Sequence, residues 1–312
     1  MSEIDVPTAL VSARVPLAWR SAHDREVAGM PHPRAASGLA RLPGNPFRLA
    51  LVQDDAASLA VVDPATGLAD AIALPNAHGP RFDAPFGEKQ NKPDLECCVV
   101  VTSPSGRKVI MAFGSGSTEA RERIALVDVV THEARLCPAH GLYSALHASG
   151  LARQALNIEG AVATGDRLWL FQRGNGGAVP GLASVSVAAL WDHLAGGPAP
   201  LVDDVRHVTL GEIDGVALGF TDAALLDGRI WWLGSAESSP DTYDDGAVAG
   251  SALGLLDGPS AILRTPDGAA FIGKAEGLVL VSPELAWVAI DPDDPKQPAE
   301  LLALTLSGWP HV

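Results

Sequence analysis

The chain has 312 residues, 47% of them hydrophobic and 19% charged, so it can bury a sizeable core, while 32 glycines and 24 prolines exclude long helical bundles. Thirty-seven acids against 22 lysines and arginines give a net charge of −15, which repels a phosphate backbone and excludes nucleic acid as a partner. Cys97, Cys98 and Cys137 have none of the paired spacing of a zinc site or disulfide framework, so they are expected as buried thiols in a reduced, cytoplasmic setting.

The first twenty residues, MSEIDVPTALVSARVPLAWR, carry acids before any base, and Pro7, Arg14 and Pro16 interrupt their apolar stretch. They lack the pattern of a secretory signal, and no later segment has the length of apolar sequence that crosses a membrane. Further on, short segments that open apolar runs recur: ASGLARL at Ser37, DLECCVV at Glu96, NIEGAVA at Glu159, FTDAALL at Asp222 and KAEGLVL at Glu276. Their separations are 59, 63, 63 and 54 residues. A regular period of this length marks a repeat architecture.

Each repeat carries β-type runs rich in Val, Ile, Leu and Trp, divided by turn residues. The first reads ASGLARL, FRLALVQ, SLAVVD and ADAIALP; the second LECCVVV, KVIMAFG, RIALVDV and EARLCPA. The third reads IEGAVAT, RLWLFQ, ASVSVAAL and RHVTLGE, and the fourth TDAALL, RIWWLGS, SALGLLD and SAILRT. The fifth supplies EGLVLV, LAWVAID and ELLALTL, and the N-terminal PTALVSARVPL is the strand it lacks. The expected fold is therefore all-β: one β-propeller domain over residues 1–312, with five four-stranded blades closed by the N-terminal strand in the last. Six blades is the alternative, if a long loop holds a degenerate blade. The helix-like stretches LYSALHASGLA and AALWDHLAG are short and do not alternate with the strands. Trp169, Trp231, Trp232 and Trp287, at matching places in second strands, are expected between blades.

In a propeller the starts of the inner strands meet at one channel mouth, which the ends of the second strands also face. Ser37, Glu96, Glu159, Asp222 and Glu276 thus form five stations, preceded by Lys92, Asp94, Asn157, Thr221 and Lys274. Gln53, Asp54, Gly114–Thr118, Arg173, Asn175, Ser235, Glu237 and Asp291 come from the second strands. The longest loops, Asn76–Asp94 and Ser235–Gly250, fall on this face too. Four carboxylates here repel one another by about 3 kcal/mol per pair at roughly 6 Å and an effective dielectric of about 20. A divalent cation such as Ca²⁺, pairing with Lys92, Arg173 and Lys274, or a retained proton relieves that repulsion. Glu96, Glu159, Asp222 and Glu276 are the candidate metal ligands, with Glu159 and Asp222 as candidate acid and base. Lys92, Asn157, Arg173, Glu237 and Lys274 are the candidate substrate-binding residues. Carboxylates held by their neighbours merely to keep the blades in register are the competing explanation. GSGST and RGNGG match neither a P-loop nor a dinucleotide fingerprint.

NIEGAVATGDRLWLF and KAEGLVLVSPELAWVAID resemble the Glu-Gly start of inner strands in the gluconolactonase and senescence-marker family, in serum paraoxonase and in phytase-like esterases. The chain looks most like one of the uncharacterised bacterial propeller families near this group. The resemblance implies a divalent metal at the channel mouth, ligated by Glu159 or Glu276, and hydrolysis of lactones or related esters. The expected activity is metal-dependent hydrolysis of a small ester, lactone or phosphate ester. The alternative is a non-catalytic propeller that binds a small ligand or a protein on the same face. The sequence leaves the oligomeric state open.

Overall fold

The computed structural model describes residues 6–82, 89–152, 156–174, 178–238 and 248–310. The chain is all-β. Strand β1 (Thr8–Pro16) and the short β2 (Ala18–Trp19) precede helix α1 (Ala22–Ala28). The first repeat follows as β3 (Ala36–Leu42), β4 (Arg48–Gln53), β5 (Ser58–Val62) and β6 (Leu68–Ala73). The second is β7 (Leu95–Thr102), β8 (Lys108–Gly114), β9 (Arg123–Asp128) and β10 (Ala134–Pro138), after which comes helix α2 (His140–Ala148). The third is β11 (Ile158–Thr164), β12 (Arg167–Gln172), β13 (Gly181–Ser186), helix α3 (Val187–Leu194) and β14 (Val202–His207). The short β15 (Glu212–Ile213) leads into the fourth: β16 (Val216–Leu226), β17 (Arg229–Glu237), β18 (Val248–Leu255) and β19 (Ser260–Arg264). The fifth has β20 (Lys274–Ser282), β21 (Leu285–Asp291) and β22 (Glu300–Ser307).

Within each repeat consecutive strands pair antiparallel, as the alternation of apolar runs and turns predicts. β1 lies antiparallel to β22, from Thr8 opposite Ser307 to Pro16 opposite Glu300, so the N-terminal strand does complete the fifth repeat. It also runs parallel to β19, joining the fourth and fifth repeats in one nine-stranded sheet. Two local expectations change. The run ASVSVAAL is half strand: it stops at Ser186, whose Oγ accepts the Ala189 N–H at 3.3 Å and caps α3. The third repeat's outer strand is consequently β14, starting four residues before the predicted Arg206. The unpredicted α1 is capped by Ser21, whose Oγ accepts the Asp24 N–H, and ends at the left-handed Gly29.

The apolar residues gather into five clusters, each between two repeats. They join the first and second repeats (Val52 with Ile110), the second and third (Met111 with Leu170), and the third and fourth (Phe171 with Phe220). The fourth meets the fifth through Leu253 and Leu302, and the fifth meets the first through Val279 and Leu39. Strands buried on both faces read as continuous apolar runs, which is why β4 is buried from Leu49 to Gln53. The adjacent cysteines follow from the same alternation: Cys97 enters the core toward the third repeat and Cys98 that toward the first. Trp231 and Trp232 are buried between repeats, with Trp169 and Trp287 against the neighbouring clusters. The inner strands also lie side by side, β3 next to β7, β7 to β11, β11 to β16, β16 to β20 and β20 to β3.

Candidate functional site

Every inner strand carries the same irregularity, within its first three residues in four repeats and in the middle of the longer β16. Its pairing with the second strand slips by one residue, leaving an unpaired residue that a β-bulge turns out of the sheet. The bulged residues are Ser37, Glu96, Glu159, Thr221 and Glu276. Four of the predicted stations are these residues. The fourth is displaced: aligning FTDAALL on Asp222 runs one residue too far, because the slip lies between Phe220 and Asp222. Two residues before the first two stations, Ala35 and Asp94 have φ of 46° and 54°, a conformation uncommon outside glycine that marks these approaches as tightly shaped.

The residue after each bulge faces the neighbouring inner strand across a gap with little room. A Cβ on Gly38 would lie 2.7 Å from the Cys97 Cα, and one on Gly277 3.0 Å from the Leu39 nitrogen. Gly38→Ala is therefore expected to lower stability by about 1–3 kcal/mol, read as the urea midpoint. In the fourth repeat this position is Asp222, fully buried, and its carboxylate reaches across to other repeats. Oδ2 accepts the Leu278 N–H at 2.7 Å and the Leu39 N–H at 3.3 Å, and Oδ1 accepts the Ala223 N–H at 2.7 Å. These are backbone groups on the unpaired edges of inner strands, and a buried donor of that kind requires an acceptor. Burial pushes the Asp222 carboxyl well above the usual range despite the three donors.

Around the bulges stand basic residues, each tied to acids. Arg173, from the end of β12, bonds Glu159 Oε1 at 3.2 Å and also pairs with Glu237. Asn157 Nδ2 donates to the same Glu159 oxygen at 2.7 Å, and the Asn157 N–H is held by Gln172 Oε1 at 2.7 Å. Lys274 Nζ lies 3.4 Å from Glu276 Oε1 and 3.4 Å from Asp293. Lys92 Nζ bridges Asp54 at 2.7 Å and Asp94 at 2.6 Å, and Arg121 reaches the second Asp94 oxygen at 2.9 Å. Arg121, Gln172 and Thr221 as a station were not foreseen. Gln172 ends the same kind of apolar strand as Gln53, whose Oε1 likewise holds a backbone N–H, that of Arg34. Asn175 and parts of both long loops lie outside the described residues.

Several oxygens of the bulged residues receive nothing. Among the described residues, Glu159 Oε2, Glu276 Oε2 and Thr221 Oγ1 are buried without a hydrogen-bond partner. Glu96 has no ion pair there, because Lys92 is committed to Asp54 and Asp94. The acids feel one another. Burial raises Glu96 well above the usual carboxylate range, and Asp94 and Glu159 add to the shift. Burial also raises Glu159 against the pull of Arg173, and takes Glu276 to about 8 against Lys274 and Arg173. Asp291, at the end of β21, is raised to about 7 by burial, opposed by Lys274. Asp54 moves down, because the ammonium of Lys92 outweighs burial.

A hard divalent cation takes oxygen ligands, largely carboxylates, with hydroxyls, carbonyls and water completing the set. Two places offer such donors. Asp54, Asp94 and Glu96 present oxygens within 4.8 Å of one another, but Lys92 already lies between the first two. The bulged residues bring three carboxylates and two hydroxyls, with buried oxygens on Glu159, Glu276 and Thr221 that have no hydrogen-bond partner among the described residues, but among those residues it is Asp54, Asp94 and Glu96 whose oxygens come within 4.8 Å of one another. Asp222 does not belong to the bulged set, since its oxygens are occupied by backbone donors.

No helix among the described residues is long and apolar enough to cross a membrane. No curated protein matches the chain. Solved structures with a similar course include the glutaminyl cyclase of Myxococcus xanthus, at 9% identity and a TM-score of 0.49, covering 97% of this chain and 99% of that one. An α-L-arabinanase of Penicillium chrysogenum complexed with arabinobiose has 9% identity and a TM-score of 0.46, covering 96% and 98%. The PQQ-bound aldose sugar dehydrogenase of Streptomyces coelicolor has 12% identity and a TM-score of 0.44, covering 97% and 99%. A family model matches residues 32–306, and the chain belongs to that family, the family of unknown function DUF6929.

Proposed function

We propose that the chain is a closed, five-bladed β-propeller whose central mouth is a metal-dependent hydrolytic site for a small ester, lactone or phosphate ester. Support for five blades and closure comes from the five inter-repeat cores, the contact of β20 with β3, and the pairing of β1 with β22. The observation that carries the functional reading is the ring of bulged oxygen-bearing residues, with Glu159 Oε2 and Glu276 Oε2 buried and unsatisfied.

Glu96, Glu159 and Glu276 would hold the cation, with the Thr221 and Ser37 hydroxyls beside them. When bound, it supplies a Lewis acid for a carbonyl or phosphoryl oxygen and lowers the pKa of a water. The residues of the chain do the positioning. Asn157 and Arg173 hold Glu159 Oε1 and leave Oε2 for the cation. Lys274 does the same for Glu276. Glu237 turns Arg173 toward Glu159, and Lys92 keeps Asp54 and Asp94 neutralised so that Glu96 is the acid left to the ring. In this reading Asp222 ties the blades together and takes no part in the chemistry.

Purified protein, stripped with EDTA and returned to Ca²⁺, Mg²⁺, Mn²⁺ or Zn²⁺, is assayed against aryl esters, aliphatic lactones and aryl phosphates. At least one metal should restore turnover of one class, and Glu159→Gln should reduce it by 100-fold or more. A metal-dependent melting shift without turnover of any class would favour the non-catalytic reading, in which the same face binds a small ligand. Arg173→Met leaves Glu159 buried without the guanidinium that pairs with it and is expected to cost about 3–5 kcal/mol, measured by urea unfolding.

A further inference from the structure

The outer edges of the repeats are closed in different ways. In the first repeat β6 is covered by β2, which runs parallel to it, and the outer strands of the fourth and fifth, β19 and β1, pair with each other. In the third, β14 is interrupted: its register with β13 shifts between Leu182 and Ser184, and Asp204 has a φ of 51°. A bulge of that kind protects an edge against further pairing. β10 has neither device. It keeps register with β9 along all five residues, from Ala134 opposite Val127 to Pro138 opposite Arg123, and among the described residues no strand lies on its other side. The Asp128 N–H donates to the Glu133 carbonyl, so residues 133, 135 and 137 are the ones bonded to β9. The N–H and C=O groups of Ala134 and Leu136 therefore point outward.

Beside this edge, between the second sheet and α3, lies a cavity of about 550 Å³. It is apolar at Val109, Leu126, Ala134 and Trp191. Of its polar groups, Ser103 is bonded to Ser105 at 2.9 Å, and Arg107 holds Asp128 at 3.0 Å with Glu133 3.9 Å away. Arg135 also lines it, is exposed, and has no ion pair among the described residues. Opposite Leu126, it stands on the sheet face that the second repeat turns toward the third.

We propose that β10 is a docking edge whose occupant is an extended segment of another protein, paired antiparallel with Ala134 and Leu136 and carrying one acidic residue opposite Arg135. Backbone bonds to Ala134 and Leu136 hold such a strand, and alternate side chains give it specificity. The residue opposite Arg135 shares its face, so an acid there meets the free guanidinium, and the side chains two residues to either side lie along the cavity. A second copy of the chain does not fit. Two β10 strands with each Ala134 opposite the other copy's Leu136 would set the two Arg135 side chains against each other. The neighbouring registers set Leu136 opposite the turn residue His132, whose φ is 60°, or Ala134 opposite Pro138, which has no N–H.

The probe is the capped, fluorescein-labelled peptide Thr-Val-Thr-Glu-Thr-Val-Thr, titrated with the protein and followed by fluorescence anisotropy. It should bind several-fold more tightly than the same peptide with lysine in place of glutamate, and Arg135→Glu should reverse that preference. Leu136→Pro removes an outward N–H that β9 does not use, and should weaken binding several-fold. If that variant does not fold, a peptide N-methylated at the two threonines beside the glutamate should lose binding to the wild type instead. No binding of the glutamate peptide, equal binding of the two peptides, or binding that survives both the proline and the N-methylation overturns the docking edge. So does a wild-type dimer in sedimentation that Arg135→Glu or Leu136→Pro dissociates, since the edge would then belong to a second copy.

Discussion

Asp222→Ala is expected to destabilise the protein by about 3 kcal/mol or more. The substitution removes the acceptor of three buried N–H groups, those of Leu39, Ala223 and Leu278, and each orphaned donor costs about 1–3 kcal/mol. Leu39 and Leu278 belong to different repeats from Asp222, so the loss is a loss of cohesion between repeats and not of a local turn. Asp222→Asn should be milder, about 1–2 kcal/mol, since its amide oxygen can keep Leu39 and Leu278 while its NH₂ group faces the Ala223 donor. Urea unfolding measures both, and the melting response to Ca²⁺ distinguishes structure from ligation. Asp222→Asn should keep that response. Its loss, with stability unchanged, would make Asp222 a ligand and reverse the assignment.

The second large effect concerns charge at the ring. With EDTA present, Glu96→Gln should raise the melting temperature increasingly as the pH rises, because burial and the like-charged Asp94 and Glu159 oppose ionisation of Glu96. Glu159→Gln should not raise it, because it strips Arg173 of a counter-charge. With Ca²⁺ at about 100 times its dissociation constant, the wild type gains about 2.7 kcal/mol, roughly 4 °C for a chain of this length. Each of the two glutamine variants should lose most of that gain. The metal-free protein should also respond to pH in one direction. Glu276 at about 8 and Asp291 at about 7 bind their protons more tightly folded than unfolded. Their contribution is whole at pH values below the ordinary carboxyl range and is lost as the pH rises through 7 and 8. The melting temperature in EDTA should therefore fall between pH 6 and pH 9, and Glu276→Gln should flatten the upper part of the fall. A wild-type midpoint unmoved by Ca²⁺, Mg²⁺, Mn²⁺ and Zn²⁺ alike would sink the metal centre.

Much of this arrangement was legible before any coordinates. The period of the chain, the strand content of each repeat and the return of the N-terminal strand to the fifth repeat were readable because apolar runs and turn residues are local signals. So was the equivalence of Glu96, Glu159 and Glu276, each of which stands at the bulge of its inner strand. The fourth station was misplaced for a definite reason. A bulge adds one residue without changing the apolar pattern after it, and FTDAALL offers two adjacent polar residues, Thr221 and Asp222, where KAEGLVL has Glu276 followed by glycine. Alignment on the carboxylate selected Asp222, whereas strand pairing selects Thr221. The half-strand at ASVSVAAL failed in the same way, because a serine that can continue a strand can also cap a helix.

By itself the sequence determined an acidic, repetitive, all-β chain with carboxylates at the starts of its inner strands, because charge, period and apolar alternation are properties of neighbours along the chain. Only the tertiary structure decided which carboxylate oxygens remain unsatisfied. Lys92 could have met Glu96 but bridges Asp54 and Asp94, Arg173 joins Glu159 to Glu237, and Asp222 spends its oxygens on the backbone of two other repeats. Those choices are made between side chains far apart in sequence, by distances of a few ångströms across the mouth, and no local pattern encodes them.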